Sequence, residues 1–520
     1  QDMLLESILS AAEVISLSEA LQQIHFPDSW EKLARARQRL AFDEIFLLQM
    51  GVLRQKRSWQ ERAARVFAIE EEMLSPILER LPFNLTGAQQ SSLQDIRQDL
   101  ASGKPMNRLL QGDVGSGKTI VAALGAAIIA NSGAQSAFMA PTGILAEQHY
   151  RNLSRLFCTE QDTDEGFWLR PEQVRLLVGS TPEAERREIL AALECGDIKI
   201  LIGTHALLEE PVVFKDLEYV VVDEQHRFGV EQRAVLRAKG SSPHLLVMTA
   251  TPIPRSLALT VYGDLDLSVM DEMPVGRQIV ETQIFFPRER ERSYELVRSR
   301  LGEGQQAFII YPLVEESDGN ETKAAVNEFE RLSKEIFPEY KLGLLHGRMR
   351  PDEKDAVMAD FRDNQVQILV STSVVEVGVD VPNATAMIIE GANRFGLSQL
   401  HQFRGRVGRG EIKSFCILIP DSPDDASNQR LTAMVETNNG FFLAERDLEQ
   451  RGPGSFLGTR QSGYHSDLNM ASLTDVHLII KARDQAQNLF QQDPELTAPE
   501  HQLLSEAMER FWGSGRGDIS

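Results

Sequence analysis

Two tandem α/β lobes, each built on a parallel sheet, are what this sequence predicts, with a helical region before them and another after. Three observations carry that reading. From about residue 105, short apolar runs alternate with helix-patterned segments: RLLQ before a Gly-rich turn, then AFMAP, IKILIG, YVVVDE and LLVMTA. Runs of this kind, bounded by turns and separated by helical stretches, belong to strands covered on both faces. Near Met273-Pro274-Val275-Gly276 the rhythm pauses, and a second series follows in QAFIIYPLV, KLGLLHG, VQILVST, AMIIEG and FCILIP. Outside these two series the apolar spacing is helical.

The chain of 520 residues is too long for one ordinary core. The N-terminal region, 1–80, reads as helical: RLAFDEIFLLQM, ending at Met50, spaces its apolar residues for a helix, and Trp59 to Leu81 reads the same way. Residues 81–273 form the expected first lobe and 274–435 the second. Residues 436–520 return to helical patterning, interrupted by a Gly-rich break from Arg451 to Gly463.

Composition narrows the class. Hydrophobic residues at 42% and charged residues at 25% are the balance of a globular protein that folds in water. The longest apolar candidate, Ile120 to Ala130, falls short of the roughly 18 to 20 residues of a membrane span and reads as a buried helix. Gln1 to Ser10 carry acids and no basic segment, so no secretory signal is expected there. Cys158, Cys195 and Cys416 show no metal-ligand spacing and read as reduced thiols in a cytosol-like compartment. The formal charge of −22 argues against nucleic acid as a partner at first sight. Backbone N–H groups at helix starts, hydroxyls and a few local cations can nonetheless hold phosphates on an acidic protein.

The chemistry begins at Gly112-Asp113-Val114-Gly115-Ser116-Gly117-Lys118-Thr119, a full G-x-x-x-x-G-K-[ST] loop between a strand and a helix. Its glycines let backbone N–H groups curl around phosphates without Cβ clashes. Lys118 would reach the β and γ phosphates, and Thr119 would ligate Mg²⁺. About a hundred residues on, Asp223-Glu224-Gln225-His226 ends the strand run YVVV. Asp223 at a strand's C-terminal edge can hold the same Mg²⁺, and Glu224 can orient or deprotonate the attacking water. Acidic strand ends are common; the pairing with the phosphate loop makes this one informative.

Together these two strings resemble the superfamily 2 helicases. Thr249-Ala250-Thr251-Pro252 matches the element that couples hydrolysis to lobe movement in that superfamily. Phe83, Leu85, Thr86 and Gln89 stand where such proteins bind adenine, and the Gln89 amide would favour ATP over GTP; an ordinary helix cap at Thr86 is the alternative reading. Pro141-Thr142 and Thr204-His205 each follow a strand and open a helical pattern, as an N-cap also would. Their places match the strand-gripping elements of helicases. In the second lobe the resemblance assigns DNA contact to His346 and Thr372, and nucleotide contact to Gly378 and Asp380. Gln402-Phe403-Arg404-Gly405-Arg406-Val407-Gly408-Arg409 resembles the element whose arginines cross the cleft, which makes Arg406 and Arg409 arginine fingers and Gln402 a coupling residue.

Finer strings (GDVGSGKT, APTGILAEQH, DEQHRFGV, TATPIPR and HQFRGRVGRG) look like the RecG family of branched-DNA translocases. The nearest alternative is the motor of a transcription-repair coupling factor acting on stalled RNA polymerase, which tends to carry a second Glu where this chain has Gln225. Phe441 to Gly463 resembles the translocation motif of those two motors, and the resemblance assigns Arg446, Arg451 and Gln461 to it. It implies two RecA-like lobes, ATP and Mg²⁺ as cofactors, and branched or forked duplex DNA as substrate, replication forks and Holliday junctions included. It also implies a monomer on the nucleoid in a bacterial cytoplasm, with single-strand-binding protein or other replication-repair factors as candidate partners. The family's N-terminal wedge has no room before the helical region, so the expectation is a motor fragment.

Overall fold

The computed structural model describes residues 2–68, 71–81, 83–158, 169–224, 230–251, 265–274, 278–312, 320–372, 381–410, 412–451, 470 and 476–512. Two parallel sheets organise it. The first contains β1 (Asn107–Gly112), β2 (Gln135–Met139), β3 (Val174–Leu177), β4 (Ile200–Gly203), β5 (Leu217–Val222), β6 (His244–Thr249) and β7 (Asp266–Met270), ordered β3-β4-β2-β5-β6-β1-β7. The second contains β8 (Glu281–Ile284), β9 (Gln306–Ile310), β10 (Leu342–Leu345), β11 (Ile368–Ser371), β12 (Ala384–Glu390) and β13 (Phe415–Ile419), ordered β10-β11-β9-β12-β13-β8. Every neighbouring pair in both sheets is parallel.

The apolar runs are continuous because alternate residues enter opposite cores. In β5, Val221 faces one core of the first lobe, while Val220 and Val222 face the other. In β9, Phe308 and Ile310 enter one core of the second lobe, and Ala307 and Ile309 the other. The expected interior strands are all present. The strands that the apolar pattern does not announce, β3, β7 and β8, all lie at sheet margins. An edge strand is covered on fewer sides, so ETQI of β8 can carry polar residues that an interior strand would not bury.

Seventeen α-helices, with short 3-10 and π turns, complete the described residues. Before the first sheet come α1 (Glu6–Ala12), α2 (Leu17–His25), α3 (Trp30–Gln60), α4 (Glu71–Arg80) and α5 (Gly87–Ala101). The first lobe adds α6 (Lys118–Asn131), α7 (Gly143–Phe157), α8 (Glu183–Cys195) and α9 (Val230–Arg237). The second lobe has α10 (Arg290–Gly302), α11 (Asn320–Arg331), α12 (Pro351–Arg362), α13 (Leu397–Arg404) and α14 (Gln429–Glu436). After it come α15 (Gly440–Arg451), α16 (Val476–Gln492) and α17 (Gln502–Trp512). The expected buried helix at Ile120 to Ala130 is α6, buried at every position of that stretch. No helix among the described residues is long and apolar enough to cross a membrane.

One local expectation is corrected. Trp59 to Leu81 is not one helix: α3 ends at Gln60, and α4 begins only at Glu71. Between them Ala64 donates its N–H to the Gly103 carbonyl (3.0 Å) and Phe67 to that of Leu100 (2.9 Å). Backbone pairing with the C-terminal end of α5 replaces the helical bonds that the side-chain spacing suggested.

The two helical ends of the chain meet. Phe42, Ile45, Phe46 and Met50 of α3 share a core with Leu478, Ile479 and Ala482 of α16 and with Leu504 and Met508 of α17. At 31 residues, α3 is about 45 Å long and leaves that core to reach the first lobe. There Lys56 pairs with Asp266 at 2.6 Å, and the Arg237 guanidinium lies 3.5 Å from the Trp59 ring centre.

Candidate functional site

The candidate residues gather where parallel strands end. The phosphate loop follows β1, Pro141 and Thr142 follow β2, Thr204 follows β4, and Asp223 follows β5. Thr251 follows β6, His346 follows β10, and Thr372 follows β11. This carboxyl edge is where open α/β sheets bind ligands, because the helices that follow the strands start there and turn their free N–H groups toward it.

In the phosphate loop Gly115 and Gly117 take φ of 78° and 89°, left-handed values that let the backbone turn its N–H groups inward. Lys118 opens α6, and its buried ammonium donates to the carbonyls of Gly112 (2.8 Å) and Asp113 (2.9 Å). Burial pulls the Lys118 pKa down, against the charges of Glu224, Asp223 and Asp113. Ser116 Oγ is buried with no hydrogen-bond partner among the described residues. A cradle of N–H groups, an ammonium and a spare hydroxyl fits a polyphosphate.

Gln89 serves two local bonds. Its Oε1 accepts from the Thr86 N–H at 2.9 Å, and its Nε2 donates to the Ser116 carbonyl at 2.9 Å. Thr86 Oγ1 accepts from the Gln89 N–H at 3.2 Å, so the alternative reading of Thr86 as a helix cap is present. The same glutamine thereby braces the phosphate loop. Phe83, just before the cap, is exposed.

Asp223 and Glu224 are split by their surroundings. Burial would raise the Asp223 pKa, but His149 and Lys118 outweigh it and hold the carboxyl below its ordinary value. His149 Nε2 lies 2.8 Å from Asp223 Oδ2. Burial, reinforced by the Asp223 charge, raises the Glu224 pKa, with Lys118 and Arg406 opposing. Neighbouring carboxyls pushed apart in this way suit separate roles, one anionic and one proton-accepting. Glu224 also sits at φ 51°, a left-handed backbone uncommon outside glycine, and its Oε2 accepts from the Ala250 N–H at 3.4 Å. Asp223 and Thr119 therefore offer an anionic carboxylate and a hydroxyl, hard oxygen donors that fit Mg²⁺.

The second lobe closes on this centre. The charge of Arg406 acts on Glu224, and that of Arg409 on Lys118, across the cleft. Gln402 Nε2 donates to Thr251 Oγ1 at 2.9 Å, and Thr249 Oγ1 accepts from the Thr251 N–H at 3.2 Å. Further along the cleft, Arg362 of α12 pairs with Glu147 of α7 at 3.0 Å.

Of the strand-gripping candidates, Thr142 caps α7, accepting from the Leu145 N–H at 3.3 Å. Thr204 makes no side-chain cap, and His205 beside it is exposed. Thr372 Oγ1 and His346 Nδ1 are buried atoms with no partner among the described residues. Arg446 pairs with Glu436 at 3.4 Å and lies over the Phe442 ring. Gly378, Asp380, Gln461 and the side chain of Arg451 lie outside the described residues.

Two buried residues that touch the site carry no role in the sequence reading: His149, against Asp223, and His401, whose Nε2 lies 2.6 Å from Asp113 Oδ1. For His149 a signal exists, since it stands seven residues after Thr142 and so on the same face of α7. Periodicity names that face without naming the carboxylate 74 residues away that it meets.

Comparison with known proteins agrees along the chain. The DEAD/DEAH box helicase family matches residues 86–260, the helicase conserved C-terminal domain 291–411, and the RecG domain 3 C-terminal family 437–512. An ATP-dependent DNA helicase RecG of Synechocystis is 50% identical over 96% of this chain and 59% of its own length. That of Bacillus subtilis is 46% identical over 98% of this chain and 73% of its own. A solved structure of RecG bound to a three-way DNA junction has 43% identity and a TM-score of 0.77, over 93% of this chain and 62% of that one. The chain thus spans about three fifths of the length of the Synechocystis relative and of the solved RecG chain.

Proposed function

We propose that this chain, which belongs to the RecG family of ATP-dependent DNA helicases, hydrolyses ATP to move on duplex DNA and remodel branched DNA in recombination and repair. The observation that carries the reading is the split of one site across two lobes. Lys118, Asp223 and Glu224 stand on one side of the cleft, and the charges of Arg406 and Arg409 act on Glu224 and Lys118 from the other. Such a site completes itself only when the lobes close, which ties phosphate chemistry to motion.

The loop from Gly112 to Thr119 holds the phosphates, and Phe83 and Gln89 border the base. Thr119 and Asp223 would hold Mg²⁺, which neutralises phosphate charge when bound. Glu224 takes the proton of the attacking water, and Arg406 and Arg409 stabilise charge on the transferred group. Pro141, Thr142, Thr204, His205, His346 and Thr372 line the strand path, and Gly378 and Asp380 touch the nucleotide. Arg446, Arg451 and Gln461 serve translocation. The division at 1–80, 81–273, 274–435 and 436–520 follows these roles.

The relative solved on a three-way junction supports forks and Holliday junctions as substrates. The match at 437–512 favours this reading over the motor of a transcription-repair coupling factor. The proposed state is a monomer in the bacterial cytoplasm, with single-strand-binding protein as a candidate partner. The deciding experiment compares ATP hydrolysis on linear, forked and three-way DNA and scores triplex displacement from duplex. Stimulation greatest on branched DNA, with displacement, is expected. Equal stimulation by all three DNAs without displacement sinks the proposal.

A further inference from the structure

α13 joins the phosphate loop to α14, the last helix of the second lobe, and to α15, which follows it. His401 and Arg404 are three residues apart on it and share a face. Both are buried. The Arg404 guanidinium donates to the carbonyls of Met434 (2.7 Å) and Thr437 (2.9 Å), to Thr282 Oγ1 (3.3 Å) and to His401 Nδ1 (2.9 Å). The carbonyls of Met434 and Thr437 belong to the end of α14, where backbone acceptors lack helical partners and the helix dipole is negative. A cation there is a C-cap supplied from another helix.

Arginine can only donate, so His401 Nδ1 is the acceptor. The ring proton is then on Nε2, which donates to Asp113 Oδ1 at 2.6 Å. The contact is direct: one imidazole touches the phosphate loop with one nitrogen and Arg404 with the other. Backbone packing reinforces it. A Cβ at Gly405 would lie 2.9 Å from the Val114 Cβ, so the end of α13 packs directly on the loop. At the other end of α13, Asp447 of α15 accepts from the Ser398 N–H (3.4 Å) and hydroxyl (3.3 Å). α13 is therefore tied at one end to α15 and at the other to α14 and the phosphate loop.

We propose that His401 and Arg404 are positioning residues forming a buried relay, Asp113–His401–Arg404–α14, that carries the state of the phosphate loop to α14 and α15. The relay deepens the motor reading above and rests on it for its purpose. Neither residue touches the reacting phosphate. A shift of the loop on nucleotide binding moves Asp113, and the imidazole transmits it because both its nitrogens are committed. α15 is the first part of the Phe441 to Gly463 segment assigned to translocation, so the relay sets when that segment moves.

Hydrogen exchange of the whole chain, with and without magnesium adenylyl imidodiphosphate, tests this. In the unaltered chain the analogue changes exchange at the phosphate loop and at 434–447. His401→Leu keeps the side-chain bulk and removes both hydrogen bonds; the loop change persists and the change at 434–447 is lost. On duplex DNA this variant consumes about tenfold more ATP per base pair moved, within the usual range of coupling between sites. His401→Gln restores both readouts, because its amide offers an acceptor to Arg404 and a donor to Asp113. Should a thermal melt show His401→Leu unfolded, Arg404→Lys replaces it, since one ammonium cannot span both α14 carbonyls and the imidazole. A folded variant that passes the analogue's effect to 434–447 unchanged overturns the relay, as does an unaltered chain whose 434–447 amides ignore the analogue. An unaltered chain that shows the exchange change but displaces no triplex removes the motor reading and leaves the relay standing.

Discussion

The two lobes share a sheet architecture but contribute to the nucleotide site in different ways. The first lobe offers backbone and short reach: a phosphate loop curled by Gly115 and Gly117, an ammonium folded onto its own loop, and two carboxyls at the end of β5. The second lobe offers reach alone, from Gln402, Arg406 and Arg409 at the end of α13 and just beyond it. On the proposed reading, groups of the first kind act whether or not the lobes are together. Those of the second kind act only on closure. Binding and turnover should therefore separate along the boundary between lobes.

The largest effect is expected from within the first lobe. Lys118→Ala removes the cation that holds the phosphates and abolishes ATP hydrolysis while the fold survives. Normal turnover in a variant with an unchanged melting curve would show that the site lies elsewhere. Next come the residues that cross the cleft. Arg406→Ala and Arg409→Ala each lower turnover by about 10³, at the lower end of what an arginine finger contributes, with nucleotide affinity nearly unchanged. Equal losses of affinity and turnover, measured by equilibrium binding beside steady-state kinetics, would make them ground-state phosphate contacts and erase the contrast between lobes.

The smallest effect sharpens the picture within the first lobe. His149 lies against Asp223 from α7, the helix that Thr142 caps. His149→Ala should raise the Mg²⁺ concentration needed for half-maximal hydrolysis by about tenfold, the usual cost of removing a group that orients a metal ligand. Turnover at saturating Mg²⁺ stays close to normal. A loss that no Mg²⁺ concentration restores would assign His149 to the chemistry itself.

Legibility differed from element to element for physical reasons. Interior strands such as β5 and β9 were readable because burial on both faces demands an unbroken apolar run. Edge strands β3, β7 and β8 were not, because partial cover lets polar residues in. The strand–loop–helix turn at Gly112 to Thr119 was readable because its glycine spacing is written in eight consecutive residues. The break after Gln60 was hidden, since it depends on carbonyls at Leu100 and Gly103 offering bonds to Phe67 and Ala64.

By itself, then, the sequence determined the α/β class, the two strand series and the candidate strings that stand at strand ends, all properties of local spacing and backbone chemistry. Only the tertiary structure decided that α3 shares a core with α16 and α17, that His149 serves Asp223, and that His401 bridges Asp113 and Arg404. The physical reason is the range of the interaction. A helical period specifies which face a side chain occupies, but the partner of His401 is 288 residues away, and only the folded packing of one lobe against the other brings Asp113 within 2.6 Å of it.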